Sequence, residues 1–333
     1  MARKKLILAG DIGGTKTHLA FFAGSRRRLR IEAEATFASA RYPGLEAVLR
    51  EFLAGHDAAL RAACFGVAGP VVAGTVKTPN LPWVVDAAQI ASLLGLRAVT
   101  LLNDLEAAAY GIFTLAPEDL ACLNDRPVMR PANRALIAAG TGLGEAILYD
   151  DGAELHPLAS EGGHADFAPR NETEIELLRY LAARFGHVSY ERVVSGPGLF
   201  NIYRFLRDSG RCPEPAEFAD RLAAGEDPGV AITQAALSGG PEICVQALDL
   251  FISIYGAEAG NLALKAKAFG GVYVGGGIAP RIERRLREGE FVRAFADKGR
   301  YRELLAAVPI HVIMNERAAL QGAAYFAARR RDG

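Results

Sequence analysis

Three glycine turns in this 333-residue chain could hold a charged oxygen: Asp11-Ile12-Gly13-Gly14-Thr15, Gly140-Thr141-Gly142-Leu143-Gly144 and Gly275-Gly276-Gly277. Glycine lets backbone N–H groups approach a phosphate closely and tolerates positive φ. Thr15 and Thr141 add hydroxyls able to bond phosphate oxygens. Asp11 offers a hard carboxylate oxygen that can orient a magnesium ion through its waters. Taken singly, each turn is weak evidence and reads better as an ordinary hairpin or packing glycine. None is a P-loop, because no GxxxxGK[ST] follows a strand, and the GxGxG of Gly140, Gly142 and Gly144 leads into a strand, unlike the dinucleotide fingerprint.

A second set of residues could work on a polyhydroxylated ligand, whose hydroxyls both donate and accept. Asn103 and Asp104 stand where a buried strand gives way to a helix. Asn and Asp are preferred N-caps, and the carboxyl ends of strands are also where α/β sheets bind ligands, so both readings stay open. Glu161 and His164 meet across two glycines in a small-residue loop, and Glu191 precedes a turn that leads into a helix. Zinc is the rival use of Glu161 and His164, but their spacing is not HExxH and no cysteine lies nearby.

The elements that must position these residues alternate in type. Strands are predicted at Leu6–Gly10, Thr17–Ala23, Ile31–Phe37, Ala62–Val67, Gly74–Lys77 and Ala98–Leu102, with helices at Gly44–Leu53, Asp86–Leu94 and Asn103–Phe113. That mixture predicts an α/β sheet covered on both faces. Ala116–Asn133 is punctuated by prolines and reads as a loop with a domain hinge. A second strand, glycine turn, strand unit follows at Arg134–Tyr149. Downstream the patterns are mainly helical, at Glu172–Phe185, Pro197–Arg207, Glu214–Ala224 and Pro241–Ala268. A strand is expected within Gly270–Ala279, short helices around Arg281–Arg287 and Phe291–Asp297, a strand at Ile310–Ile313 and a helix at Glu316–Arg331. The recurrence of the hairpin unit predicts two related domains.

Half of the residues are hydrophobic and 23% are charged, which permits a large buried core. Lys plus Arg equals Asp plus Glu at 38 each, so no net field favours nucleic acid or a membrane surface. The basic runs Arg26-Arg27-Arg28 and Arg329-Arg330-Arg331 are short and read as solvated surface. Cys64, Cys122, Cys212 and Cys244 form no CxxC pair, which argues for buried thiols in a reducing compartment. The apolar run at Leu6–Ala9 is too short for a signal peptide. Asp249, Glu258, Lys265 and Lys267 interrupt the long apolar segment, which is expected to be a buried core helix in a cytoplasmic protein.

Seven ordered motifs now carry a resemblance: "GDIGGTKTHLAF", "GVAGPV", "LLNDLEAAAYG", "AAGTGLGEAIL", "SEGGHADFAP", "YERVVSGPGL" and "GGVYVGGGIAPR". Together they resemble the bacterial glucokinases of the non-ROK type, within the hexokinase, actin and Hsp70 superfold. The resemblance implies a two-domain actin-like ATPase (ribonuclease H-like) fold of the α/β class with an interdomain cleft. It places a small α/β domain at residues 1–110 plus 315–333 and a large α+β domain at 111–314. ATP would bind with its phosphates near Gly10, Asp11, Ile12, Gly13, Gly14 and Thr15 and near Thr141 and Gly142, and its adenosine near Gly275, Gly276 and Gly277. Glucose would be held by Asn103, Asp104, Glu161, His164 and Glu191, with Asn80 as an extra contact. Asp104 would act as general base on the sugar 6-hydroxyl toward Mg-ATP.

ROK sugar kinases carry a cysteine-rich zinc motif, and here no cysteine lies between Cys122 and Cys212. The non-zinc branch is therefore expected, and a ROK-type repressor is disfavoured because no helix-turn-helix precedes the first strand. The resemblance also implies a homodimer. Lys16 stands where relatives commonly have Asn, and Glu145 where an apolar residue is usual. Two other functions fit the same motifs: a kinase for another hexose or N-acetylhexosamine, and a sugar sensor without catalysis. Intact Asp104 argues against the sensor.

Overall fold

Two sheets of similar design organise the chain, and each contains a hairpin folded around one of the glycine turns. The computed structural model describes residues 5–26, 28–56 and 59–329. The chain divides into two compact units, Met1–Asp119 with Asn315–Gly333, and Leu120–Met314.

In the first unit the strands are β1 (Lys5–Ile12), β2 (Lys16–Ser25), β3 (Arg28–Ala38), β4 (Ala59–Val67), β5 (Thr75–Lys77), β6 (Val84–Asp86) and β7 (Thr100–Asn103). Five of them form a sheet in the order β3-β2-β1-β4-β7. β1 and β2 are antiparallel, whereas β1, β4 and β7 run parallel, so the parallel strands end together. Ile7, Leu8 and Ala9 of β1 are all buried, as expected for a strand with both faces covered. One face packs on α1 (Leu45–Ala54) and α2 (Ala87–Leu94), the other on α3 (Asp104–Gly111) and the C-terminal helix Ala318–Arg329.

The helices follow from their patterns. Leu45, Val48, Leu49 and Phe52 recur at helical spacing and are buried in α1, where Phe52 stacks on Phe21 at 4.7 Å between ring centroids. Truncating Phe52 to alanine would cost about 3–5 kcal/mol through lost contacts and a cavity. Asp86 caps α2 by accepting from the backbone N–H groups of Ala88 and Gln89.

In the second unit the strands are β8 (Leu120–Asn124), β9 (Arg134–Ala139), β10 (Leu143–Asp150), β11 (Leu155–Ser160), β12 (Val272–Gly275) and β13 (Ile310–Ile313), in the sheet order β11-β10-β9-β12-β13-β8. The pairing from β11 to β13 repeats that of the first sheet: two antiparallel pairs, then two parallel ones. Its helices include α4 (Glu172–Phe185), α5 (Gly196–Asp208), α6 (Ala216–Ala223), α7 (Pro228–Leu237) and α8 (Glu242–Ala266). α8 is apolar enough by length and composition to cross a membrane, yet most of it lies in the core of this unit.

Three expectations need correction. Ala116–Asn133 is not loop throughout, because Leu120–Asn124 forms β8 and pairs with β13. Neither β11 nor α7 was anticipated. Arg26 is also more than solvated surface: its Nε donates to the Tyr325 hydroxyl at 2.7 Å and its guanidinium lies over that ring. Arg27, Arg330 and Arg331 lie outside the described residues.

Candidate active site

In the first unit the polar residues gather where the parallel strands end. Asp11 stands opposite Gly66 of β4, and Val67 stands opposite Asn103 of β7, so Asp11 and Asn103 flank the end of one central strand. Gly66 sets how closely α3 approaches: a Cβ there would sit 2.7 Å from that of Ala107 and 3.8 Å from the Cα of Asp104. Only glycine allows this spacing without displacing the helix.

Asn103 fulfils the capping reading, and Asp104 follows it as the first residue of α3. The Asn103 Oδ1 accepts the Leu105 N–H at 2.9 Å, and its Nδ2 donates to the Gly69 carbonyl at 3.1 Å. The Asp104 Oδ1 also accepts from Leu105 N–H, at 2.9 Å, which fixes the plane of the carboxyl group. Asp104 thus stands at the positive end of a helix, where its charge is stabilised. Its neighbour Asp11 is partly buried, and desolvation together with the Asp104 charge pushes its pKa up to about 6.

The first glycine turn is held from outside the hairpin. Gly13 N–H donates to the Lys16 carbonyl at 2.9 Å and closes the turn. Ser39, buried just beyond β3, donates its hydroxyl to the Gly13 carbonyl at 2.8 Å, meets the Thr17 hydroxyl at 3.0 Å, and gives its N–H to the Thr15 carbonyl. Asn80 lies in the β5–β6 connection and packs against Gly14, where a Cβ would come 2.9 Å from its own. The side chains of Thr15 and Lys16 are exposed. Ser39 escaped the sequence reading because nothing local marks it, and only strand pairing brings it to the turn.

In the second unit the glycine turns converge. Gly140 N–H donates to the Gly142 carbonyl at 2.8 Å, and the Gly140 carbonyl accepts from Gly196 N–H, also at 2.8 Å, at the start of α5. Gly276 has φ +82°, and a Cβ on it would stand 2.2 Å from the Ala139 carbonyl oxygen. Ile278 N–H bonds that same carbonyl at 3.2 Å. Gly229, at the start of α7, packs on Gly196. The structure therefore brings Gly140 to Gly142, Gly275 to Gly277, Gly196 and Gly229 together. The last two were not picked out from the sequence, although "SGPG" and "DPG" are helix-start signals.

The acids of this unit form a chain. His164 Nε2 is 4.0 Å from Glu161 Oε2, and its Nδ1 is 4.0 Å from Glu191 Oε1. Glu191 Oε2 accepts the Leu143 N–H at 3.0 Å and lies where a Cβ on Gly142 would be 2.5 Å from it. Glu191 thus links the histidine to the second glycine turn. Glu161 and His164 remain exposed, at 73% and 60% of their side chains.

Glu145 is different in kind. It is 1% exposed, and its Oε1 has no hydrogen-bond partner. Among the described residues no group of three or more His, Cys, Asp or Glu side chains could hold a metal ion.

A family model described as glucokinase matches residues 8–330. A glucokinase of Nostoc sp. is 44% identical over 339 residues, covering 97% of this chain and 99% of that protein. A crystal structure of glucokinase from an Antarctic psychrotroph superposes with a TM-score of 0.84 at 31% identity, covering 98% of this chain and 99% of the other. A ROK family glucokinase from Streptomyces griseus, solved with glucose and AMPPNP, shares the fold at a TM-score of 0.67 and 22% identity, over 98% of this chain and all of the other.

Proposed function

This chain belongs to the glucokinase family, and from that premise we propose how its residues transfer the γ-phosphoryl group of ATP to glucose. The enzyme phosphorylates glucose with ATP; the assignment of individual residues is our reading. The observation that carries it is the pair of acids at the parallel strand ends, with Asp104 oriented by its bond to Leu105 N–H and Asp11 beside it.

Asp104 accepts the proton of the glucose 6-hydroxyl as that oxygen forms its bond to the γ-phosphorus. The bond from the γ-phosphorus to the β,γ-bridging oxygen breaks, and ADP leaves with glucose 6-phosphate as the second product. Such a transfer depends on positioning and on charge neutralisation more than on covalent chemistry. Asn103 and Asn80 supply amide contacts to the sugar, and Glu161, His164 and Glu191 supply acceptors and a donor for its hydroxyls. The backbone of Gly10 to Thr15, and Thr141 with Gly142, face the phosphates, while Gly275 to Gly277 border the adenosine.

The residues fit a magnesium ion of the kind bound through phosphates and water. Burial and the Asp104 charge both push the Asp11 carboxyl upward, and a nearby cation would offset both. Mg2+ keeps several waters and takes only one or two carboxylates, which the Asp11 carboxylate can supply. Asp11 would hold it through a water molecule, and the ion would neutralise charge on the phosphate chain.

We also propose a cytoplasmic homodimer, on the family resemblance alone; sedimentation of the purified protein tests the oligomeric state. The decisive experiment for the substrate is a panel of sugars with Mg-ATP, read by ADP release. Glucose is expected to give the highest kcat/KM; faster turnover of another hexose or of an N-acetylhexosamine would reassign the acceptor.

A further inference from the structure

The second unit buries an acid pair that the mechanism above does not use. Glu145 on β10 and Glu258 on α8 are 1% and 0% exposed. The Glu258 carboxylate is the main charged neighbour of Glu145, whose Oε1 has no hydrogen-bond partner. Glu258 is itself well served: Lys265 Nζ lies 3.3 Å from its Oε1, and Asn261 Nδ2 donates to its Oε2 at 2.7 Å. Lys265 is 55% exposed, and Lys298, more deeply buried in the same cluster, is a second cation that senses Glu258. A carboxyl group in such a place is retained at a cost unless it is neutral or does something.

This pair touches both loops that carry the acids assigned above to the sugar. On one side Glu145 Oε2 occupies the space that a Cβ on Gly162 would fill, 2.0 Å from that ideal position. Gly162 lies between Glu161 and His164, so the Glu145 carboxyl backs their turn. On the other side Asn261, already bonded to Glu258, also donates to the Tyr190 hydroxyl at 2.9 Å, and Tyr190 is the neighbour of Glu191. Lys298 completes the cluster, donating to Asn261 Oδ1 at 2.6 Å and to the Ala257 carbonyl at 2.9 Å.

We propose that Glu145 is a positioning residue for the sugar: its carboxyl group, buried beside Glu258, holds the Glu161–His164 turn and, through Glu258 and Asn261, the Tyr190–Glu191 turn at the spacing glucose requires. The proposal rests on the assignment of Glu161, His164 and Glu191 to the sugar. For two carboxyl groups to be buried side by side without repulsion, Glu145 must keep its proton. Burial and the Glu258 charge favour this, pushing Glu145 up to about 8, while the Lys265 charge acts in the other direction. The remaining titratable group on α8 that senses Glu145 is Tyr255, whose hydroxyl burial holds protonated. Loss of the proton would place a second negative charge against Glu258 and push the Gly162 turn away.

Affinity for glucose is therefore expected to weaken in alkali. If only the protonated form binds, the apparent KM for glucose rises severalfold as the pH is raised above neutrality, with kcat much less affected. Glu145→Gln can donate to Glu258 but cannot ionise, so it should keep the neutral-pH KM and lose the alkaline rise. Glu145→Leu should show a raised KM at every pH. An infrared difference spectrum at pH 7 between wild type and Glu145→Gln should show one protonated carboxyl band that the variant lacks.

The inference is overturned if that band is missing, or if Glu145→Gln retains the wild-type alkaline rise. Glu161→Gln and His164→Gln separate the two levels of argument. If both leave the KM for glucose unchanged, the sugar assignment itself fails. If they raise it while Glu145→Gln behaves like wild type across the pH range, only the role of Glu145 fails.

Discussion

The two glycine hairpins share one design but differ in what they bury. Ile12 pairs with Thr17 across the first, and Ala139 with Leu143 across the second. Leu19 and Glu145 therefore occupy the same register, two residues beyond those pairs, and both are buried. Leu19 packs in an apolar cluster with Leu8, Phe21 and Phe65, whereas Glu145 faces Glu258 and the Gly162 turn. The acid needed near the turn also differs in origin. In the first hairpin Asp11 sits within the strand; in the second, Ala138 and Ala139 end the strand and Glu191 reaches in from another element. Similar backbones thus leave the chemistry to side chains, and a position that is plain core in one unit carries a polar network in the other.

The comparison can be broken at its strongest point by Asp104→Asn. The second unit has no counterpart to this acid, because β13 leads into Met314 and Asn315. The change should lower kcat by about 10²–10⁴-fold, the usual worth of a general base, with glucose binding largely retained by calorimetry. An Asn variant of near wild-type turnover would remove Asp104 from its role.

Exchanging the two register-matched residues sharpens the contrast. Leu19→Glu buries a carboxyl with none of the Glu258 and Lys265 environment, and should cost about 3–5 kcal/mol in urea unfolding, as for a buried charge without a partner. Glu145→Leu should cost clearly less. Equal costs would mean that the polar network contributes nothing distinctive.

The same pair differs in pH response. The Glu145 pKa lies above its unfolded value of 4.5. Between the two values the unfolded chain has released a proton that the folded chain retains, so stability falls as pH rises. The contribution is fully present below 4.5 and is lost as pH passes through about 8. Unfolding free energies of Glu145→Gln should lack the part of this slope above about pH 6, while Asp11, raised from 3.8 to about 6, keeps its own slope at lower pH in both proteins. A variant with the wild-type slope at pH 6–8 would count against a protonated Glu145.

The smallest effect concerns how the turns are held. Ser39 fixes the first with side-chain bonds, while Gly196 fixes the second through its backbone N–H. Ser39→Ala should lose about 1 kcal/mol of stability and raise the KM for ATP a few-fold with kcat nearly unchanged. An unchanged KM for ATP would show that the Gly13 turn holds its shape without the serine.

Much of this was legible in the chain itself. The two strand, glycine turn, strand units, the cap signals of Asn103 and the alternation of strands and helices are local patterns, set by neighbouring residues. They were sufficient for the fold class and, through seven ordered motifs, for the family. β8 was missed because it is five residues long between Pro117 and Pro127, and its partner β13 lies far along the chain. α7 was missed because small and apolar residues all round give it no clear stripe.

Residue types and order alone thus determined which side chains could do chemistry: Asp11, Asp104, the glycine turns and the Glu161–His164 pair. Tertiary structure alone decided which of them meet. It placed Gly66 so that α3 could close on β4, brought Ser39 and Asn80 to the first turn, and brought Glu191 to the second. It also turned Glu145 inward against Glu258. The physical reason is that these contacts arise from strand register and helix packing between distant segments. Such segments carry no mark of one another until the backbone hydrogen bonds and the core have been formed.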